Sequence, residues 1–166
     1  MVDTPGLGRT LITDEPRIDD MVEKLQEDVR EVNAFVISFK QNSNRLTHSL
    51  RSMLALFQRM FGAHFWNNVI LEATNWSHGE SAARIRGQQK PPLTEESWAA
   101  EFNKILRKEF NLPNQLIIPA VFVDTFHNEG DQEEAMQFKN EVEDLLEFAQ
   151  GRPAFNCKYL TQQLCP

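Results

Sequence analysis

Cysteine is scarce in this chain. Cys157 and Cys165 are the only two in 166 residues, and both lie near the C-terminus. Such a count argues against a disulfide framework and makes a cytosolic setting the default expectation. No apolar run approaches the roughly 18–20 residues that a membrane span needs. The N-terminus shows no basic region followed by an apolar core, so no signal peptide is expected. Asn75-Trp76-Ser77 fits a glycosylation sequon but lacks that secretory context. Positive charge is in deficit: 17 Lys and Arg stand against 24 Asp and Glu, a formal net charge of −7. A nonspecific hold on nucleic acid is therefore not expected. There is no internal repeat and no low-complexity segment. No Ser–His–Asp or Cys–His set can be argued, and His48 and His64 have no partner at metal-ligand spacing. Gly-Lys-Ser and Gly-Lys-Thr occur nowhere, so the usual phosphate-cradling loop has no candidate.

What is present is an ordinary globular composition, 41% hydrophobic and 25% charged, in a length that suits one domain. Ile18, Met21, Val22, Leu25, Val29 and Val32 recur three and four apart, which predicts an amphipathic helix over 17–32. The apolar run at 34–39 predicts a buried strand. Leu46, Leu50, Met53, Leu54, Phe57 and Phe61 predict a helix over 46–61 that stops at Gly62. A second strand is expected at 68–73. Residues 77–93 are polar, end in Pro91-Pro92, and suggest a long loop. Thr94 suits an N-cap for a helix at 95–110 whose apolar positions are Trp98, Phe102, Ile105, Leu106 and Phe110. A third strand is expected at 116–123. Asp131 and Glu134 have capping-box spacing and would open a helix over 131–149, with Ala135, Phe138, Val142, Leu145 and Leu146 inward and Gly151 and Pro153 at its end. Helix and strand alternate, and this predicts an α/β fold with a parallel sheet and helices on both faces.

Ligands of such sheets bind beyond the carboxyl ends of the strands. The stretches to inspect are therefore VDTPG at 2–6, FKQNSN at 39–44, ATNWSHG at 73–79 and VDTFHN at 123–128. In the first, the Asp3 carboxylate suits magnesium, a hard cation that takes oxygen ligands. Gly6 would let a backbone N–H approach a terminal phosphate. A plain turn after a strand explains the same residues. In the third, Asn75 suits a contact to a base, and Trp76 could cover one by stacking. His78 stands where a guanine-reading loop carries an Asp, and it cannot act as an anionic two-point acceptor. Trp76 in the core and His78 in solvent is the alternative. Asp124 and Thr125 match a third base-contacting element in position and character only.

Taken together, VDTPGLG, NAFVISFKQNSNRLTHSLRSMLALFQRMFG, FWNNVILEATNWSHG, IIPAVFVDT and FKNEVEDLLEFAQGRPAF resemble the septin-like GTPases. Among these the chain is most similar to the immunity-associated (GIMAP-type) nucleotide-binding proteins and their chloroplast import-receptor relatives. The resemblance spans roughly residues 2–155. It implies a P-loop NTPase-like three-layer fold that binds GTP or GDP with magnesium and hydrolyses GTP slowly. By that resemblance Asp3 is the magnesium-linked acid and Gly6 the γ-phosphate contact. Thr74 and Asn75 fall in one base-contacting loop, and Asp124 and Thr125 in the next. Leu7 stands where Ras-type enzymes place the water-orienting Gln, which implies slow or assisted hydrolysis.

The family's phosphate-binding loop precedes the segment that VDTPG resembles. On this resemblance residues 1–155 form a partial GTPase domain beginning at its second switch, and residues 156–166 form a C-terminal tail. The expected partner is guanine nucleotide, held weakly. The alternative is a non-catalytic interaction module on a degenerate GTPase scaffold. The edge at 34–39, interior in the complete fold, would be exposed and available to a partner strand or a second copy. A cytosolic protein is expected, with peripheral membrane attachment left open.

Overall fold

The computed structural model describes residues 20–42 and 45–159. The chain forms two compact units. Of the described residues, one contains 20–33, 45–68 and 153–159, the other 34–42 and 69–152. Asp3 and Gly6, and so the whole VDTPG stretch, lie outside the described residues.

In the first unit, residues 20–24 are helical and run into a wider π-helical turn at Leu25–Val29. The turn closes through the Arg30 N–H donating to the Leu25 carbonyl at 2.8 Å. Arg30 has φ 63°, outside the helical region, and ends the helix. The helix expected to reach residue 32 therefore stops short. Val32 belongs instead to a two-residue strand β1 (Glu31–Val32), antiparallel to β5 (Phe155–Asn156). Helical spacing continued past Arg30, but pairing with a segment more than 120 residues away in sequence overrode it.

Helix α1 (His48–Phe61) begins two residues after the expected start and ends where expected. The Thr47 hydroxyl caps it by accepting from the Leu50 N–H, and Gly62 ends it at φ 77°. That conformation suits glycine because a Cβ would be strained there. Leu54, Phe57 and Phe61 are buried as expected, and Leu56 and Met60 join them. Phe57, Phe61 and Phe65 form a ring cluster with centroids 6.1–6.2 Å apart, and Phe155 meets Phe61 edge-on at 5.4 Å. Each such pair adds about 0.5–1.5 kcal/mol beyond burial. Asn68 ties segments together by donating to the carbonyls of Asn33 (2.7 Å) and Pro153 (2.8 Å).

The second unit carries the sheet: β2 (Phe35–Lys40), β3 (Val69–Thr74) and β4 (Ala120–Val123), in spatial order β2-β3-β4 and all parallel. Phe35 pairs with Val69, and Leu71 with Ala120. A parallel sheet flanked by helices is thus the architecture, as the alternation of elements predicts. On one face Phe39 meets Trp98 and Phe102 of helix α3 (Glu95–Phe110), with Phe39 and Phe102 4.4 Å apart. On the other, Ile70, Val121 and Val123 pack against Phe138, Leu145 and Ala149 of helix α4 (Gln132–Gln150).

Four expectations need correction in this unit. The loop over 77–93 contains helix α2 (Glu80–Gly87). The third strand begins at Ala120 rather than 116; Ile118 is held instead by the Asn103 side chain, and Pro119 has no N–H to give a ladder. Leu146 faces solvent at 53% exposure. Asp131 caps α4 by accepting from the Glu133 and Glu134 N–H groups, but Glu134 accepts from Asn128 N–H rather than closing the box. No helix among the described residues is long and apolar enough to cross a membrane.

Candidate functional site

The carboxyl ends of β3 and β4 lie side by side because Thr74 pairs with Val123 in the parallel register. The Trp76 N–H donates to the Val123 carbonyl at 3.3 Å, which ties the loop after β3 to the end of β4. Thr74 and Asn75 thus stand next to Asp124 and Thr125. Thr74 is half-buried, and its hydroxyl donates to the Phe39 carbonyl at 3.2 Å. Asn75 is exposed at φ 58°, a left-handed position that Asn tolerates better than most residues. Asp124 is buried, and its carboxylate accepts from the Phe126 N–H at 3.0 Å to shape its own turn. Thr125 is exposed.

Trp76 takes the core alternative. It is 1% exposed and meets Phe122 edge-on at 4.7 Å, and the Arg86 guanidinium lies over its ring, 4.6 Å from the centroid. Arg86 is itself buried and donates to the Ser77 carbonyl at 2.6 Å. Burial pulls its guanidinium below the usual arginine value, and the negative charge of Glu95 partly offsets this. This contact explains why α2 was hidden in the sequence: the one residue it buries is an arginine, so apolar periodicity is missing.

His78 is not a solvated loop residue: its side chain is 17% exposed. Its Nε2 lies 3.1 Å from the Phe122 carbonyl oxygen and its Nδ1 lies 3.9 Å from Glu95 Oε1. A carbonyl only accepts, so Nε2 carries a hydrogen, and Nδ1 is the ring nitrogen on the Glu95 side. The N–H of the same Phe122 donates to Glu141 Oε2 at 3.0 Å, and Gln137 donates to Glu141 Oε1 at 3.1 Å. His78 and Glu141 therefore satisfy both backbone groups of Phe122 on the outer side of β4. His78, Glu95 and Glu141 bring one donor atom each to within 4.8 Å of one another. Glu141 is buried, while Glu95, the first residue of α3, is half-exposed. Burial pushes the Glu95 carboxyl above the usual carboxylate value; the Glu141 charge adds to this, and His78 and Arg86 partly oppose it. A shallow groove of about 480 Å³ begins at Glu95 and Phe122 and runs between α3 and residues 117–120.

Neither Glu95 nor Glu141 was singled out from the sequence. One signal was there: Glu141 lies three residues after Phe138 and one before Val142, a carboxylate inside the inward stripe of α4. Glu95 looked like an ordinary first-turn acid. No protein-family model matches the chain, and no curated protein matches it in sequence.

Proposed function

We propose that this chain carries the base-contacting end of a septin-like, GIMAP-type guanine-nucleotide-binding domain on a P-loop NTPase-like scaffold, acting in the cytosol. The observation that supports this most is the Trp76–Val123 hydrogen bond, which sets Thr74 and Asn75 beside Asp124 and Thr125 at the carboxyl ends of two parallel strands. That is where open α/β sheets take their ligands. Affinity is expected to be weak. In such proteins backbone N–H groups and a Lys of the phosphate-cradling loop supply most of the hold on the triphosphate, and the sequence has no Gly-Lys-Ser or Gly-Lys-Thr. GTP or GDP with magnesium is the ligand of this reading, and turnover is slow at best.

The second reading is an interaction module that keeps the scaffold without the chemistry. Two observations favour it: one Asp124 carboxylate oxygen is engaged by the Phe126 N–H within its own turn, and Trp76 is sealed in the core. Titration of a fluorescent GTP analogue with magnesium separates the two. The nucleotide reading predicts binding weaker than micromolar, displaced by GDP but not by ADP, and reduced several-fold in Asn75→Gly, which keeps the left-handed backbone and removes the amide. Absence of displacement by GDP favours the interaction module. Micromolar or tighter binding contradicts the weak hold argued here.

A further inference from the structure

We propose that His78, Glu95 and Glu141 form a binding site for one divalent transition-metal cation of the zinc class. The site is separate from the nucleotide reading and does not depend on it. Its three donors come from the loop after β3, the first residue of α3 and the middle of α4, so only the folded unit assembles them.

The orientation of His78 carries the first part of the argument. Its Nε2–H is committed to the Phe122 carbonyl, which leaves Nδ1 as the nitrogen on the Glu95 side, the one that would give its lone pair to a cation. Metal-bound imidazoles are held this way: one nitrogen ligates while the other donates to a carbonyl or carboxylate that fixes the tautomer. Glu141 is likewise fixed. Its two oxygens accept from Phe122 N–H and Gln137, and each keeps further lone pairs for a cation.

Charge carries the second part. Among the described residues, no Lys or Arg nitrogen is within ion-pair distance of Glu95 or Glu141. The nearby cation, Arg86, is engaged with the Ser77 carbonyl and the Trp76 ring. A buried carboxylate beside a second one is costly unless a positive charge joins them. A dication does so with one ion.

The geometry needs little adjustment. Donors at about 2.0–2.2 Å around a tetrahedral ion sit about 3.4 Å apart. The present spread is within 4.8 Å, and Glu95, half-exposed at a helix start, is the side chain free to close it. One imidazole and two carboxylates suit zinc and its neighbours, and they leave a position open to water. Magnesium prefers oxygen ligands and keeps most of its waters, so it should bind poorly.

The test is calorimetric titration of the metal-free full chain with zinc and with magnesium, paired with thermal unfolding and the visible spectrum of the cobalt adduct. Wild type should bind one equivalent of zinc, at least tenfold more tightly than magnesium, with a higher unfolding temperature in zinc. Glu95→Gln should weaken zinc at least tenfold, while its unfolding temperature without metal stays the same or rises, because one of two like charges is gone. His78→Asn should also lose the zinc-dependent rise in unfolding temperature. The cobalt adduct should lack a thiolate-to-metal charge-transfer band, which sets Cys157 and Cys165 aside. Absence of saturable zinc binding, equal affinity in wild type and Glu95→Gln, or a thiolate band would each overturn the site. In that event His78 and Glu141 serve only as polar caps on the edge of β4.

Discussion

Asn103 does for Ile118 what a neighbouring strand would do. Its side chain accepts the Ile118 N–H at 2.8 Å and donates to the Ile118 carbonyl at 2.9 Å, and both bonds are buried. Farther along, His78 and Glu141 do the same for Phe122. Exposed strand edges invite unwanted pairing, and side chains that occupy the edge groups suppress it. A buried backbone group left unpaired costs about 1–3 kcal/mol. Asn103→Leu keeps much of the volume but abandons two such groups, so a loss of about 2–4 kcal/mol is expected in urea unfolding. A loss below about 1 kcal/mol would mean that water reaches residue 118 and that Asn103 is not the clamp described here.

At the level of elements, caps agreed with local chemistry and faces did not always follow periodicity. Thr94 and Ser97 form a reciprocal pair at the start of α3: the hydroxyl of each accepts the backbone N–H of the other, at 3.2 and 2.9 Å. Thr94 was legible as a cap because the geometry is local. Thr94→Ala should cost about 1 kcal/mol. Leu146→Ala in α4 should cost under about 0.5 kcal/mol, since its side chain is largely in water. The periodicity of α4 had placed Leu146 inside, so paired thermal or denaturant melts of the two variants check the observed faces directly. Leu146→Ala costing as much as a core truncation would return it to the core.

For the whole molecule the open question is the outer side of β2. Among the described residues no strand pairs there. The strand extends one residue beyond expectation, to Lys40, so a single charge stands at its end. Val36 is 42% exposed, whereas Ile37 is buried. A lysine at 36 would guard the edge without entering the core, while one at 37 would break the core and test nothing about the edge. Association through this edge with a second copy predicts a mass that rises with concentration in light scattering and falls toward monomer in Val36→Lys. A monomer at all concentrations, with slow hydrogen exchange at 36–40, would contradict it.

The sequence by itself determined the alternation of helix and strand, the parallel sheet, the caps at Thr94 and Asp131 and the stop at Gly62. These depend on spacing and on side chains within a few residues of the backbone they serve. It also pointed to Asn75 and Asp124 as neighbours, since a parallel sheet collects its strand ends on one side. Tertiary structure alone decided the rest. Whether Trp76 covers a ligand or fills the core depended on Arg86, ten residues away on a helix with no apolar stripe. The end of the first helix depended on β5, and the satisfied outer edge ahead of β4 on Asn103. His78, Glu95 and Glu141 are 17 and 46 residues apart in turn, and no sequence period relates them. They converge because Phe122, between two helices, offers its N–H to one side chain and its carbonyl to another.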